Sequence, residues 1–230
     1  MPRSGMGICM KIRINWFRHE TFGAFEELRR HFLLLHAQIA DASNIEKYIL
    51  VTKPAPREVD YDDYLSELRE HERHFGEVMP RILGFSFVVM LYSEVEFRFK
   101  GLCRKLQKER RLPLALNRFS GDIKEKTQGF LRAFGLPEIH DSEMKRLAEL
   151  TLVRNCIVHN SGIVSGTEKE RELLRIVEDS RGMTITQEYG NVKRLMLSNP
   201  YCLKHLDDCE AAFRRLFREL GYGPDGVIRD

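Results

Sequence analysis

The chain has 230 residues, of which 43% are hydrophobic and 31% charged, with a formal net charge of +3. That balance suits one large folded domain, or a domain with an elaboration, and excludes wholesale disorder. The mild basicity permits nucleic-acid binding without arguing for it.

Residues 1–10 are rich in Gly and Met and read as a frayed start. Over residues 12–40, Phe17, Phe22, Phe25, Leu28, Phe32, Leu35 and Ile39 recur at three- and four-residue steps, which predicts a helix. Lys53-Pro54-Ala55-Pro56-Arg57 predicts a loop, and Asp60 or Asp62 can cap a polar helix running to about His74. A long central helix is predicted over residues 80–110, with Pro80 placed in its first turn. Its start is apolar nearly all round (Ile82, Leu83, Phe85, Val88, Val89), which marks the middle of a bundle. After Pro113 a helix is expected over 121–134, stopped by Gly135-Leu136-Pro137, and another over 142–159, stopped by Asn160-Ser161-Gly162. A short charged helix follows near 168–178. The period then alternates at 183–187 and 192–197 about Tyr189-Gly190-Asn191, which predicts a small β-hairpin. The last helix opens at Asn199-Pro200 and carries Leu206, Phe213, Leu216, Phe217 and Leu220 on one face.

The predicted fold is mainly α: an antiparallel helical bundle with one small β-hairpin before the C-terminal helix. The expected division is an N-terminal helical extension over 1–78, a helical domain over 79–222 and a tail over 223–230.

Arg outnumbers Lys by about two to one, which suits planar phosphate recognition and would equally follow from a GC-rich coding sequence. The five cysteines (Cys9, Cys103, Cys156, Cys202, Cys209) are odd in number, with no Cys-x-x-Cys and no zinc spacing. No His-Glu-x-x-His occurs either. Reduced thiols, no metal site and no cofactor are the expectation. Cys202 and Cys209 lie seven apart on one predicted helix, too far to pair with each other. The start lacks a basic-then-apolar leader, and the longest apolar stretch, near 82–92, is too short and interrupted to span a bilayer, so a cytoplasmic protein without a membrane partner is expected.

The most informative segment is Leu150-Thr151-Leu152-Val153-Arg154-Asn155-Cys156-Ile157-Val158-His159-Asn160-Ser161-Gly162. It sets a permanent cation, a carboxamide and an imidazole into an otherwise apolar helical run. A buried guanidinium is unfavourable unless something negative meets it. The pattern points to an anion at Arg154 and His159, with phosphate first. Spacing alone proves little, because Arg69 and His74 share it within a polar stretch.

This run resembles the signature of the HEPN superfamily (higher eukaryotes and prokaryotes nucleotide-binding): an Arg, four to six residues, then a His, often with a polar residue after the Arg. Arg154, Asn155 and His159 occupy those positions. The stretch Met90-Leu-Tyr-Ser-Glu-Val-Glu96-Phe-Arg-Phe-Lys-Gly-Leu-Cys-Arg-Lys-Leu106 resembles the family's preceding helix, whose acidic residue Glu96 matches best and Glu94 second. The likeness extends to the hairpin and closing helix and covers roughly residues 80–220; the first 75 or so residues match no known pattern.

The resemblance implies a metal-independent endoribonuclease, commonly a toxin or defence effector, with RNA and an antitoxin or regulatory protein as partners. It also implies a homodimer that pairs motif helices into one composite cleft. In such a site Arg154 would hold the scissile phosphate and stabilise its developing charge. His159 would act as general acid or base while the substrate's 2′-hydroxyl attacks. Asn155 would orient His159 or the phosphate, and Glu96 would hold Arg154 when no RNA is bound. Residues five apart on a helix point about 140° from each other. Either the last turn loosens, or Arg154 and His159 address a site shared across a two-fold axis.

Other residues keep two readings. Asn160 and Ser161 fit substrate contact and helix capping. Arg98, Lys100, Arg104, Lys105, Lys108, Arg110 and Arg111 form a basic run that fits an RNA backbone, with Arg104, Lys105 and Lys108 its candidates, and equally fits a helix C-terminus. Cys156 reads as a packing residue before a nucleophile. Arg214, Arg215 and Arg218 read as a solvated face. Two rivals to the nuclease stand: a non-catalytic dimerisation or nucleotide- and RNA-binding module, and a structural bundle in which Arg154 simply pairs with Glu96 or Glu94.

Overall fold

The computed structural model describes residues 16–52 and 61–222. Residues 1–10, Cys9, the 53–57 loop, Asp60 and the 223–230 tail lie outside the described residues. The elements run α1 (Trp16–Thr52), α2 (Tyr61–Arg73), α3 (Met79–Glu109), α4 (Ile123–Ala133), α5 (Asp141–Asn160), α6 (Glu170–Asp179), β1 (Met183–Glu188), β2 (Val192–Leu197) and α7 (Asn199–Glu219). The architecture is a mainly helical bundle with a two-stranded antiparallel hairpin directly before the last helix.

The core is aromatic. Phe25 and Phe32 of α1, Phe87 and Phe99 of α3, and Phe213 and Phe217 of α7 are fully buried. Phe32 meets Phe87 with ring centroids 4.2 Å apart, and Phe99 meets Phe213 at 4.7 Å. Each such ring contributes roughly 1.5–3 kcal/mol relative to exposure, so α1, α3 and α7 are held mainly by these contacts.

Pro80 does not begin a separate helix. A π turn, His74–Val78, joins α2 to α3, and Val78 and Met79 both keep right-handed helical backbone angles. A proline at 80 has no amide to give the Gly76 carbonyl and its ring crowds that carbonyl. The wider turn ahead of it, in which the Met79 amide reaches His74, takes up the misfit without a break. The resulting rod, Tyr61–Glu109, is by length and composition apolar enough to cross a membrane. Its apolar side chains also serve the bundle: Leu83, Phe87, Val88, Leu91, Val95 and Leu102 are buried in the core, the pattern of a central helix.

The expected hairpin forms, with strands paired from Met183 opposite Leu197 to Glu188 opposite Val192. Gly190 (φ 73°) and Asn191 (φ 64°) supply its left-handed corner. The sheet sits on α3 at Gly84, where an added Cβ would lie 3.0 Å from the Leu197 carbonyl oxygen.

Arg215 overturns the reading of Arg214, Arg215 and Arg218 as one solvated face. Its guanidinium grips both carboxylate oxygens of Glu143, at 2.8 and 2.5 Å, and also bonds the Glu138 carbonyl and Glu219. Arg215 and Glu143 are only 12% and 13% exposed.

His205 is buried on α7, its ring centroid 4.4 Å from that of Tyr201. Burial first, then the charge of Lys204, lowers its pKa to about 4; the charge of Asp208 opposes this and that of Arg146 adds to it. The unfolded chain takes up this proton near pH 6.5, and the folded chain refuses it until about pH 4. The neutral ring's contribution is therefore intact above pH 6.5 and shrinks as pH falls towards 4. At pH 5 the loss is expected to be about 2 kcal/mol. Urea unfolding at pH 7 and pH 5, compared between wild type and His205→Gln, reads this: the variant should lose that part of the pH dependence.

Candidate functional site

The motif lies on α5, which packs against α3 and runs as a regular helix to Asn160. Ser161 caps it in the left-handed region (φ 52°), and the Ser161 and Gly162 amides both donate to the Cys156 carbonyl. These bonds reach back five and six residues, so the backbone widens only beyond Asn160 and His159 stays on regular helix. On this continuous helix Arg154 and His159 diverge by about 140°, and a single chain does not bring them into one pocket.

Arg154 is half-buried at the α3–α5 seam. Its guanidinium carbon lies 5.2 Å from the centre of the Tyr92 ring, a cation–π contact. Nη1 donates to Asn155 Oδ1 at 2.9 Å. Nε is shielded from solvent and has no hydrogen-bond partner among the described residues. No carboxylate pairs with Arg154 among the described residues. Glu96 binds Lys100 at 2.7 Å and Glu94 binds Arg98 at 2.5 Å. Arg154 is thus oriented by an aromatic face and a neutral amide, with a buried N–H left open.

Tyr92 is the residue that sequence reasoning missed. It stands under Arg154, and the charges of Asp122 at the start of α4 and of Glu96 one turn along α3 act on its hydroxyl. Burial first, then those two carboxylates, raises its pKa; the Thr151 side chain and Arg154 oppose the rise. Its sequence signal was the lone tyrosine of an otherwise apolar stretch of helix.

His159 is exposed on the last turn and makes no hydrogen bond or ion pair among the described residues. Asn160 is exposed too, and its carbonyl accepts the Ile163 amide at 2.8 Å, a capping contact. Cys156 is buried, donates to the Ile163 carbonyl at 3.4 Å, and burial pushes its thiol up to about 11. That is a packing thiol, protonated at neutral pH. Among the described residues no three His, Cys, Asp or Glu side chains converge to hold a metal ion.

The basic run divides around α3. Arg98 is buried against Glu94. Arg104 lines a cleft beside α4. Lys105 turns the other way, to Glu109 at 2.6 Å and over the Tyr222 ring at 5.6 Å. Lys108 is exposed, and Arg110 donates to the Leu220 carbonyl. Lys105 therefore leaves the side of the helix that Arg104 and Lys108, four residues apart, share, and the three do not form one track.

Gly162 fixes how the motif ends. It is buried at φ 77°, and an added Cβ would lie 2.3 Å from the Phe85 ring. Gly162→Ala combines left-handed strain with overpacking and should cost about 3 kcal/mol, read as a lower urea midpoint. An unchanged midpoint would show that neither the left-handed backbone nor the Phe85 contact constrains this position.

Comparison with protein-family models, with curated proteins and with solved structures finds no match to this chain.

Proposed function

We propose that the protein is a metal-independent endoribonuclease of HEPN type that works as a homodimer, its cleft built from two copies of α5. The observation that carries this reading is Arg154: a half-buried guanidinium with an orphaned Nε, an aromatic platform and, among the described residues, no acidic partner. A permanent cation in that setting is uncompensated until an anion arrives, and a guanidinium suits the oxygens of a phosphodiester. The structural-bundle rival required Arg154 to pair with Glu96 or Glu94, and both are occupied by other cations.

The surroundings support a second copy as the missing half. On α5 itself the apolar side chain of Val158, next to His159, is 45% exposed. Covering such side chains favours association, and a two-fold axis near α5 would bring one chain's His159 towards the other's Arg154. In that cleft Arg154 binds the phosphate and holds its growing negative charge, His159 moves the proton, and Asn155 keeps the guanidinium in place. The order of helices, with the hairpin before the closing helix, supports the family resemblance.

The divergence of Arg154 and His159 within one chain also fits a non-catalytic RNA-binding dimer. Incubation of purified protein with total RNA in EDTA separates the two. Wild type should cleave, and Arg154→Ala and His159→Ala should each lose about a hundredfold or more while keeping wild-type circular dichroism. No cleavage by wild type, or equal cleavage by the variants, sinks the nuclease.

A further inference from the structure

A second polar face extends along α3 away from Arg154. Glu96, Lys100, Arg104 and Gln107 follow at steps of four, four and three residues, so they lie within about 80° of one another over about 16 Å of helix, and Tyr92 stands one turn before Glu96, about 40° further round. Opposite its far half stand Asn117, from a short 3-10 turn (Leu116–Arg118), and Lys126 of α4. The cleft between them has a volume of about 390 Å³.

Its lining combines three chemistries. Lys100, Arg104 and Lys126 face a single carboxylate, Glu96, which is tied to Lys100 at 2.7 Å. The side chains of Arg104 and Lys126 have no hydrogen-bond or ion-pair partner among the described residues. Gln107 and Asn117 bring two carboxamides, each with donors and an acceptor, the combination that reads a base edge. Leu116 and Ile123 give an apolar floor that a bare phosphate would not use but a base ring would.

We infer that this cleft holds a nucleotide of single-stranded RNA flanking the one at Arg154. Arg104 and Lys126 bind its phosphate, and Gln107 and Asn117 meet the base over Leu116. The inference rests on the RNA reading of the Arg154 site and extends it to a flanking position. Lys100 and Arg104 lie about 12 and 18 Å along the helix axis from Tyr92, within reach of the same strand. A base enters such a cleft only when unstacked, so single strands are preferred to duplex.

The test measures anisotropy of a short fluorescein-labelled 2′-O-methyl RNA, which cannot be cleaved through its 2′ position. The Arg104→Ala/Lys126→Ala double variant should bind about tenfold or more weakly, and its slope of log affinity against log salt should be shallower by about 0.7, for one phosphate released. Asn117→Ala should weaken binding with the slope unchanged. Lys105→Ala, a loss of charge on the other side of α3, should bind as wild type, and a duplex of the same sequence should compete poorly. A double variant that binds as wild type overturns the cleft, as does a Lys105→Ala loss of equal size, an equally competitive duplex, or a wild type that binds no RNA. Wild type that binds through Arg104 and Lys126 but leaves total RNA intact refutes cleavage and keeps the cleft. Wild type that cleaves, with a double variant that binds and cleaves normally, refutes the cleft alone.

Discussion

Co-expression of Arg154→Ala and His159→Ala chains is expected to restore RNA cleavage that neither variant performs alone. The reason is geometric. α5 is regular through Asn160, so the guanidinium and imidazole of one chain point about 140° apart. If catalysis needs both groups, they come from two chains. In a mixed dimer one chain retains His159 and the other Arg154, which leaves one complete pair. With random pairing about half of the dimers are mixed, each with one of two pairs, so roughly a quarter of wild-type activity should return from a background at least about a hundredfold lower. Differently tagged chains purified in tandem give pure mixed dimer. If that species forms and stays inactive, the shared cleft is wrong.

Arg215→Ala is expected to destabilise the fold by about 3–5 kcal/mol, a larger effect than any other single side chain considered above. Glu143 sits in the first turn of α5, where it also accepts the His140 amide at 3.0 Å. Burial pushes its carboxyl upward; the Arg215 hydrogen bond, the His140 amide and the charge of Arg215 outweigh this and hold its pKa below the ordinary value. Without Arg215 the carboxylate is left buried and unpaired, which explains the size of the loss. A lowered folded pKa means stability that is present above the unfolded-chain value near 4.5 and lost as pH falls through the folded value. Wild type should therefore weaken in two stages on acidification, through His205 between 6.5 and about 4 and through Glu143 below 4.5. Arg215→Ala should abolish the second. Urea midpoints from pH 7 to pH 3 read both. Glu143→Gln combined with Arg215→Met should cost less than Arg215→Ala alone, because no charge is then stranded.

Periodicity made much of the helical frame legible. α4, α5, the hairpin and α7 lie within a few residues of their expected bounds because each has one apolar face and chemical stops: Asp122 and Glu125 at the start of α4, Gly162 after α5, and Gly190 between the strands. α1 was read too short. It continues past Ala40 to Thr52 with Ile45, Tyr48, Ile49 and Val51 exposed, so the apolar-face pattern that defines its first half fades. The join of α2 to α3 was illegible because Pro80 is as suited to a first turn as to the residue after a π turn.

At the site, residue types pointed to Arg154 and His159, but the decisive fact was what Arg154 lacks. Glu94 and Glu96 are both near it in sequence pattern, and only coordinates show each bound to the cation four residues on. Arg215 failed for the converse reason: its partner Glu143 lies 72 residues away, beyond any local pattern.

The segment leaving α5 is stitched to β2. Val164 donates to the Lys193 carbonyl at 2.8 Å and Leu195 to the Gly162 carbonyl at 2.9 Å, and Ile163 bridges Arg194. The imidazole-bearing turn cannot fray without peeling this strand away, so both belong to one cooperative unit of opening. Anything that clamps or prises the hairpin tip acts as a lever on the position of His159 from a distance.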